Sequence, residues 1–272
     1  MTPDGKIAYL SYDLHTIDDP TFGPQTRVVG DTIRIWDPAT GTSKEVWNVF
    51  NFISTDKRVD WTKPPITSRG SWSGFDQKPS VDWTHGNSIT IGPRGNYIVS
   101  LRHLNQILSI DKTFTKIEWR LGGPNSDYSF PNPSDRFYHQ HSAKELPNGH
   151  ILIYDNGNGR PQNEGGEYSR ALELSLDDYD MRATKVWEYT YDKKIFSSSK
   201  GNVTRLPNGN SMIGFIGKSG QPQTTVEVDA KGNLVWENTF TSPTTLDRYR
   251  ADPIDSLSGE KIIGGSTNTS NK

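Results

Sequence analysis

The chain of 272 residues contains no cysteine. This absence excludes disulfide bonds, thiolate metal ligands and a cysteine nucleophile. It does not decide the cellular compartment, because a large β-rich chain can be secreted without covalent cross-links.

Long apolar runs are also missing. The longest, such as residues 151–154, are far too short to span a bilayer, so we expect no membrane insertion. Residues 1–5 show neither a basic segment nor an apolar core, so no signal peptide is visible. No window has a sustained 3.6-residue apolar period, which argues against helices. The net charge of -2 gives no reason to expect a nucleic-acid partner.

Glycine (25 residues), proline (17) and tryptophan (8) are plentiful, whereas hydrophobic residues make up only 32% of the chain. This composition is typical of many short strands that are joined by turns and packed with large aromatic side chains.

A unit recurs four times along the chain, and each copy has a polar turn that ends in glycine, then strand-forming residues, then a tryptophan. The turns end at Gly5, Gly95, Gly149 and Gly209, and the tryptophans are Trp47, Trp119, Trp187 and Trp236. Units of this size hold three or four short strands, which is the content of one propeller blade.

We therefore predict an all-β fold, a single β-propeller domain over residues 1–272 with four clear blades. An irregular β-sandwich is the alternative. A long loop is expected at about 53–82, which is rich in glycine, serine and proline. The chain starts at a turn motif, so N-terminal blades would be missing, and either residues 249–254 or the pairing of the two chain ends would supply a fifth set of strands.

Histidine is the natural place to look for chemistry in a chain without cysteine. His85 and His141 stand at equivalent positions of successive units, so both would face the central channel of a propeller. Arg160 follows glycines that allow close approach to a ligand. Such a group suits an oxyanion, and imidazole can also act as nucleophile or general base. Alternatively, both histidines only hold the blade starts together.

Metal binding has less support in the sequence. His139 and His141, two residues apart on a strand, would share a face, but no set of carboxylates accompanies them. The acidic segment 177–180 fits a solvated turn better than a calcium loop. We predict neither a metal site nor a cofactor.

Several segments together resemble the arylsulfotransferase family over about residues 80–255. The segments are WTHGNSI at 83–89, SLRH at 100–103, WRLG at 119–122, QH at 140–141, LPNG at 146–149, DNGNGR at 155–160 and YRA at 249–251. The resemblance implies a six-bladed propeller, periplasmic or secreted. It also implies transfer of a sulfuryl group from a phenolic sulfate ester to a phenol, without a nucleotide donor, through a transiently sulfated channel histidine.

By the same resemblance, His85, His141 and Arg160 are the catalytic residues. Substrate-binding residues would be Asn87, Arg102, His103, Gln140 and Asn156.

One departure stands against this implied activity. The family's nucleophilic histidine follows the arginine matched by Arg160, but no histidine follows His150 here. Lys200 and Lys218 lie in the relevant region, yet an amine is a poor nucleophile unless it is desolvated. A catalytically silent propeller that binds a ligand or protein partner is therefore the second hypothesis. A quinoprotein-type propeller is the third, although its expected turn occurs only once, at 37–41.

Overall fold

A computed structural model describes residues 1–19, 22–57, 80–191, 195–216, 223–240 and 248–254 of the chain. These residues contain sixteen strands in four four-stranded sheets, and no α-helix. None of their helical turns is long and apolar enough to cross a membrane. The predicted all-β propeller architecture is confirmed, because each sheet is one blade-like unit of sequential strands.

The first sheet contains β1 (Ile7–Asp19), β2 (Gly23–Asp37) and β3 (Thr42–Asn48), with β4 (Val81–Asp82) pairing parallel to β2. The other three sheets are antiparallel and run in chain order. They are β5 (Gly86–Ile91), β6 (Tyr97–Leu101), β7 (Gln106–Ile110) and β8 (Ile117–Leu121); β9 (His141–Glu145), β10 (Ile151–Asp155), β11 (Arg170–Asp177) and β12 (Arg182–Tyr189); and β13 (Asn202–Arg205), β14 (Ser211–Phe215), β15 (Gln223–Val228) and β16 (Leu234–Phe240).

The repeat in the sequence corresponds to these sheets with one correction. The four repeat tryptophans lie on the last strands β3, β8, β12 and β16. The turn at Gly5 precedes β1, the first strand of its sheet, but the turns at Gly95, Gly149 and Gly209 connect the first two strands of theirs. In the last three units the sheet therefore begins one strand before the glycine turn, and not at the turn as the repeat was described.

The core lies between neighbouring sheets. On β10, Ile151 and Ile153 pack toward the second sheet, while Leu152 and Tyr154 pack toward the fourth. Successive residues of a strand point to opposite faces, so a continuous apolar strand fills two interfaces at once. This explains why residues 151–154 of β10 are apolar in succession rather than alternating.

Strand β9 lies beside both β5 and β13. Hydrogen bonds from Asn87 to Gln140 and from Lys200 to His141 join the starting ends of these strands. Residues 249–254, one of the two predicted sources of a fifth strand set, form no strand, but the backbone N–H of Gly201 donates to the carbonyl of Tyr249 (3.0 Å) just before β13. Most of the predicted 53–82 loop, residues 58–79, lies outside the described residues.

Candidate active site

Four imidazoles gather where β5 and β9 begin, and we call His85, His103, His139 and His141 the histidine cluster. The rings of His85 and His103 are 4.5 Å apart, and His139 meets His103 edge-on at 5.9 Å. Tyr249 meets His141 edge-on at 6.2 Å. His141 is close enough to His85 for the two to interact electrostatically, so the structure brings both predicted histidines into one region with His103 and His139.

The expectation that His139 and His141 share a strand face is wrong. Strand β9 begins only at His141, and His139 precedes it with a φ of 53°. Because that conformation breaks the alternation of an extended strand, the two rings take different neighbours.

His85 forms a close pair with Asp82. Its Nδ1 lies 2.5 Å from Oδ2 of Asp82, whose side chain is only 6% exposed. An ionised carboxylate can only accept, so the Nδ1 of neutral His85 carries the proton and its Nε2 has the lone pair. Among the described residues no hydrogen bond engages this Nε2, and the side chain is 35% exposed. The arrangement suits a nucleophile or a general base.

Asp31 holds the backbone on both sides of His85. Its Oδ2 accepts from the Thr84 hydroxyl (2.5 Å) and from the Gly86 N–H (2.6 Å). A side chain at Gly86 would meet the Asp31 carboxylate, since a Cβ there would lie 2.7 Å from it. Complete burial raises the pKa of Asp31 to about 6, against these two hydrogen bonds, which lower it. Asp31 thus contacts both neighbours of His85, whose φ is 50°.

His103 covers the other side of Asp82. Its Nδ1 lies 2.8 Å from the Asp82 carbonyl oxygen, to which it donates, and 3.9 Å from Oδ2. Burial, followed by the nearby His85, lowers the pKa of His103. His103 is therefore neutral at neutral pH.

His141 has partners at both ring nitrogens. Nδ1 donates to Oδ1 of Asn156 (2.7 Å), while Nε2 accepts from the backbone N–H of Lys200 (3.2 Å). The amide of Asn156 donates to the carbonyls of Ser197 (2.7 Å) and Lys200 (3.0 Å), which fixes its orientation. Burial lowers the pKa of His141 to about 3, although the Asn156 hydrogen bond opposes the change.

His139 is held by its backbone, whose N–H donates to Oδ1 of Asn105 (2.8 Å). Its Nδ1 is buried and has no hydrogen-bond partner among the described residues. Burial and then the charge of Arg102 lower the pKa of His139 to about 3.

Arg102 supplies positive charge beside the histidine cluster. Its Nη2 donates to the Ser198 carbonyl (3.0 Å), while Nε is buried without a partner among the described residues. Burial lowers its pKa, but a guanidinium remains protonated in proteins. One donor of a half-buried cation is therefore available to an anion.

Arg160 lies outside the histidine cluster's contacts. Its guanidinium is fully buried, with Nη2 2.5 Å from Oδ2 of Asp155 and Nη1 donating to the carbonyls of Gly166 (3.1 Å) and Tyr168 (3.0 Å). Arg170 binds the same Asp155 oxygen at 2.9 Å. Asp155 directly precedes Asn156, so this ion pair supports the residue that orients His141.

Asn87 and Gln140 connect the starts of β5 and β9. The Asn87 amide donates to the Gln140 carbonyl (2.6 Å), and the Gln140 amide donates to the Ser100 hydroxyl and the Gln106 carbonyl, each at 3.0 Å. Gln140 is completely buried. These two side chains thus join the first strands of the second and third sheets.

A cavity of about 590 Å³ opens in the loops between β8 and β9. Asn105, the partner of His139, lines it together with the aromatic residues Tyr128, Phe130, Phe137 and Tyr138. Its lining is suited to an aromatic ring.

Sequence reasoning missed Asp31, Asp82 and Tyr249 as parts of the site. Asp82 had a local signal, because an acid three residues before His85 on a bent segment can reach the ring. Tyr249 lies in the YRA segment that carries the family resemblance, but no role was assigned to it. Asp31 had no signal, since it contacts the site from a distant part of the chain.

Comparison with known proteins adds to this geometry. Residues 1–250 match the family model described as arylsulfotransferase (ASST). The chain belongs to the arylsulfotransferase family. The match extends beyond the resemblance at about 80–255 and includes the first sheet.

One curated relative of this arylsulfotransferase family member is the arylsulfate sulfotransferase AssT of Escherichia coli O6:H1, 31% identical over 178 residues. That alignment covers 51% of this chain and 28% of the relative, so the matched part spans less than a third of AssT.

Two solved structures show partial likeness. A protein of unknown function from Dyadobacter fermentans has a TM-score of 0.48 at 13% identity, over 89% of this chain and 63% of that one. Virginiamycin B lyase from Staphylococcus aureus has a TM-score of 0.37 at 14% identity, over 87% of this chain and 61% of the lyase.

Proposed function

We propose that this family member transfers a sulfuryl group from a phenolic sulfate ester to a phenol, with Nε2 of His85 as the nucleophile. The observation that carries the proposal is the Asp82–His85 pair, 2.5 Å apart, with Nε2 unengaged among the described residues. His85 thereby takes the role that the family gives to a later histidine. Family membership also supports a periplasmic or secreted location.

In the first step, the lone pair of Nε2 attacks the sulfur, and the bond from sulfur to the phenolic oxygen breaks. The phenolate leaves and takes a proton from solvent, while Asp82 stabilises the positive charge on the sulfated imidazole. In the second step, the oxygen of the acceptor phenol attacks the same sulfur and loses its proton to solvent. The nitrogen–sulfur bond breaks, and neutral His85 is regenerated.

Arg102 is the residue that we propose to bind the sulfate oxygens. Charge develops on those oxygens and on the departing phenolate, and a preorganised cation in a partly desolvated site stabilises it. His141 has a positioning role in this proposal. Both of its ring nitrogens already have hydrogen-bond partners, so it does not transfer a proton.

Arg160 contributes as a positioning residue in this scheme. It neutralises Asp155 together with Arg170, and the chain then places Asn156 against His141. Asn87 and Gln140 join β5 to β9, and His103 fixes Asp82 from behind. The aromatic cavity beside Asn105 supports binding of a phenolic group close to the cluster.

Turnover of a chromogenic phenyl sulfate with excess phenol tests the proposal, by release of the coloured phenol. We expect His85→Ala to reduce transfer at least about a hundredfold, as for loss of a general acid/base group. His150→Ala is the matched control, because His150 also pairs with a carboxylate, Glu173 at 2.7 Å, outside the cluster. Rapid-mixing mass spectrometry should show one added sulfuryl group on the wild type without acceptor, and none on His85→Ala.

Arg102→Lys separates binding from chemistry. Lysine keeps the charge but loses the planar set of donors, so we expect kcat to fall more than KM rises. Unchanged kcat in this variant would contradict the role of Arg102 in the transition state.

A catalytically silent, ligand-binding propeller is the second candidate. A histidine stands just before β5 (His85) and at the start of β9 (His141). The corresponding place before β13 holds Lys200 and Gly201 instead, which favours this candidate. No transfer by folded wild-type protein, together with calorimetric binding of phenyl sulfate, would support this candidate.

A further inference from the structure

Asp82, His85 and His103 form a group of potential metal ligands at one end of the histidine cluster. One donor atom from each residue lies within 4.8 Å of the other two. Oδ2 of Asp82 is 2.5 Å from Nδ1 of His85 and 3.9 Å from Nδ1 of His103. All three side chains are at least partly buried, so their donor atoms are held in place.

The spacing needs little adjustment to hold a metal ion. Ligands at about 2.0–2.1 Å in a tetrahedron are about 3.3 Å from one another. The two observed separations lie on either side of this value, and small rotations of the two rings would equalise them. The Asp82 hydrogen bonds to both histidines would be replaced by metal–ligand bonds.

The donor set selects the class of metal. Two imidazoles and one carboxylate suit zinc, cobalt, nickel or copper, whereas calcium and magnesium prefer oxygen ligands only. Three protein ligands also leave a fourth position open, as in catalytic zinc sites. Asp31, which contacts both residues adjoining His85, adds a second carboxylate near the ion.

We propose that Asp82, His85 and His103 bind one divalent transition-metal ion, through Oδ2 and the two Nδ1 atoms. The open fourth position is available to water or to an oxyanion. The third nearby imidazole, His139, is outside this ligand set, although its Nδ1 has no partner among the described residues.

The metal changes the tautomer of His85. A neutral imidazole that binds a metal through Nδ1 carries its proton on Nε2, so the proton moves between the nitrogens through solvent without net release. The lone pair of Nε2 is then lost. This consequence rests on the proposed function: the metal-bound protein would be unable to form the sulfated histidine, and metal would inhibit transfer.

The binding test uses the full chain after treatment with EDTA and dialysis. Co²⁺ is added and visible absorption is recorded, and Zn²⁺ binding is measured by calorimetry. We expect one metal ion per chain, and His103→Gln should weaken binding at least about tenfold, by analogy with losses of supporting ligands. His150→Ala again serves as the control and should bind as the wild type does.

Long-range proton–nitrogen NMR of the imidazoles gives a readout that does not depend on activity. Zn²⁺ should convert His85 from the Nδ1–H to the Nε2–H form in the wild type. The proposal would be overturned by any of three results. These are no metal binding by the folded wild-type protein, a loss of metal affinity in His150→Ala as large as that in His103→Gln, or wild-type metal affinity in His103→Gln. If metal binds and no transfer occurs with or without it, the metal site stands and the proposed function fails.

Discussion

Replacement of Arg160 by methionine distinguishes a positioning role from direct contact with substrate. Methionine fills much of the same volume but removes the guanidinium from Asp155 and from the carbonyls of Gly166 and Tyr168. Because Arg160 and Asp155 are fully buried, we expect the loss to appear first as lower stability of the fold.

The expected loss of stability depends on which contacts of Asp155 and of the two carbonyls remain in the variant. Breaking a buried ion pair costs about 3–5 kcal/mol, and here Arg170 still binds Asp155 at 2.9 Å, which limits the cost. Two buried carbonyls lose a donor, at about 1 kcal/mol each. We expect a free energy of unfolding lower by about 3–5 kcal/mol, which corresponds to a fall in Tm of roughly 10 °C for a domain of this size.

Urea unfolding followed by tryptophan fluorescence measures this difference. Arg182→Met is the matched control, because Arg182 also forms an ion pair, with Asp180 at 3.3 Å, but the two side chains are 55% and 41% exposed. We expect the control to cost about 1 kcal/mol or less. Equal unfolding energies for the two variants, with transfer lost only in Arg160→Met, would refute the positioning role and place Arg160 at the substrate.

Three further predictions concern the cluster itself. The free energy of unfolding should fall as the pH drops from about 6.5 toward 3. In this range His139 and His141 take up protons in the unfolded chain, but in the folded chain they are buried, have pKa values of about 3 and stay neutral. His139→Gln should reduce this slope by up to about 1.4 kcal/mol per pH unit, and an unchanged slope would be contrary evidence. Asp31 opposes the trend between about 4 and 6, since its raised pKa favours the folded state at low pH. Gly86→Ala should destabilise by about 1–3 kcal/mol in thermal unfolding and lower transfer, because its Cβ would meet Asp31; wild-type values in both assays would contradict this. Asn156→Asp should also lower Tm, since a carboxylate would face two carbonyl oxygens, and a Tm equal to that of the wild type would count against that placement.

The blade order was predictable from the sequence because its signals are local. A glycine with positive φ, such as Gly95, Gly149 or Gly209, marks a tight turn wherever it occurs. Apolar runs such as Ile151–Asp155 indicate strands that are buried on both faces. The first strand of each unit was harder to recognise, because it carries the polar residues of the site.

His85 and His141 were predicted as neighbours because equivalent positions of a repeat converge when the units pack around an axis. Arg160 shows the limit of that reasoning. Its glycine-rich surroundings suggested a ligand, but whether a guanidinium faces a channel or a buried carboxylate depends on where Asp155 and Arg170 lie after folding.

The sequence by itself therefore determined the strands, the turns, the four units and the histidines that begin two of them. Only the tertiary structure decided the protonation and partners of those histidines. Asp31 reaches the bonds flanking His85 from the first sheet, and Lys200 reaches His141 from the segment before β13. Such contacts join residues more than fifty positions apart, and their energies depend on burial and distance, which exist only once the blades have packed.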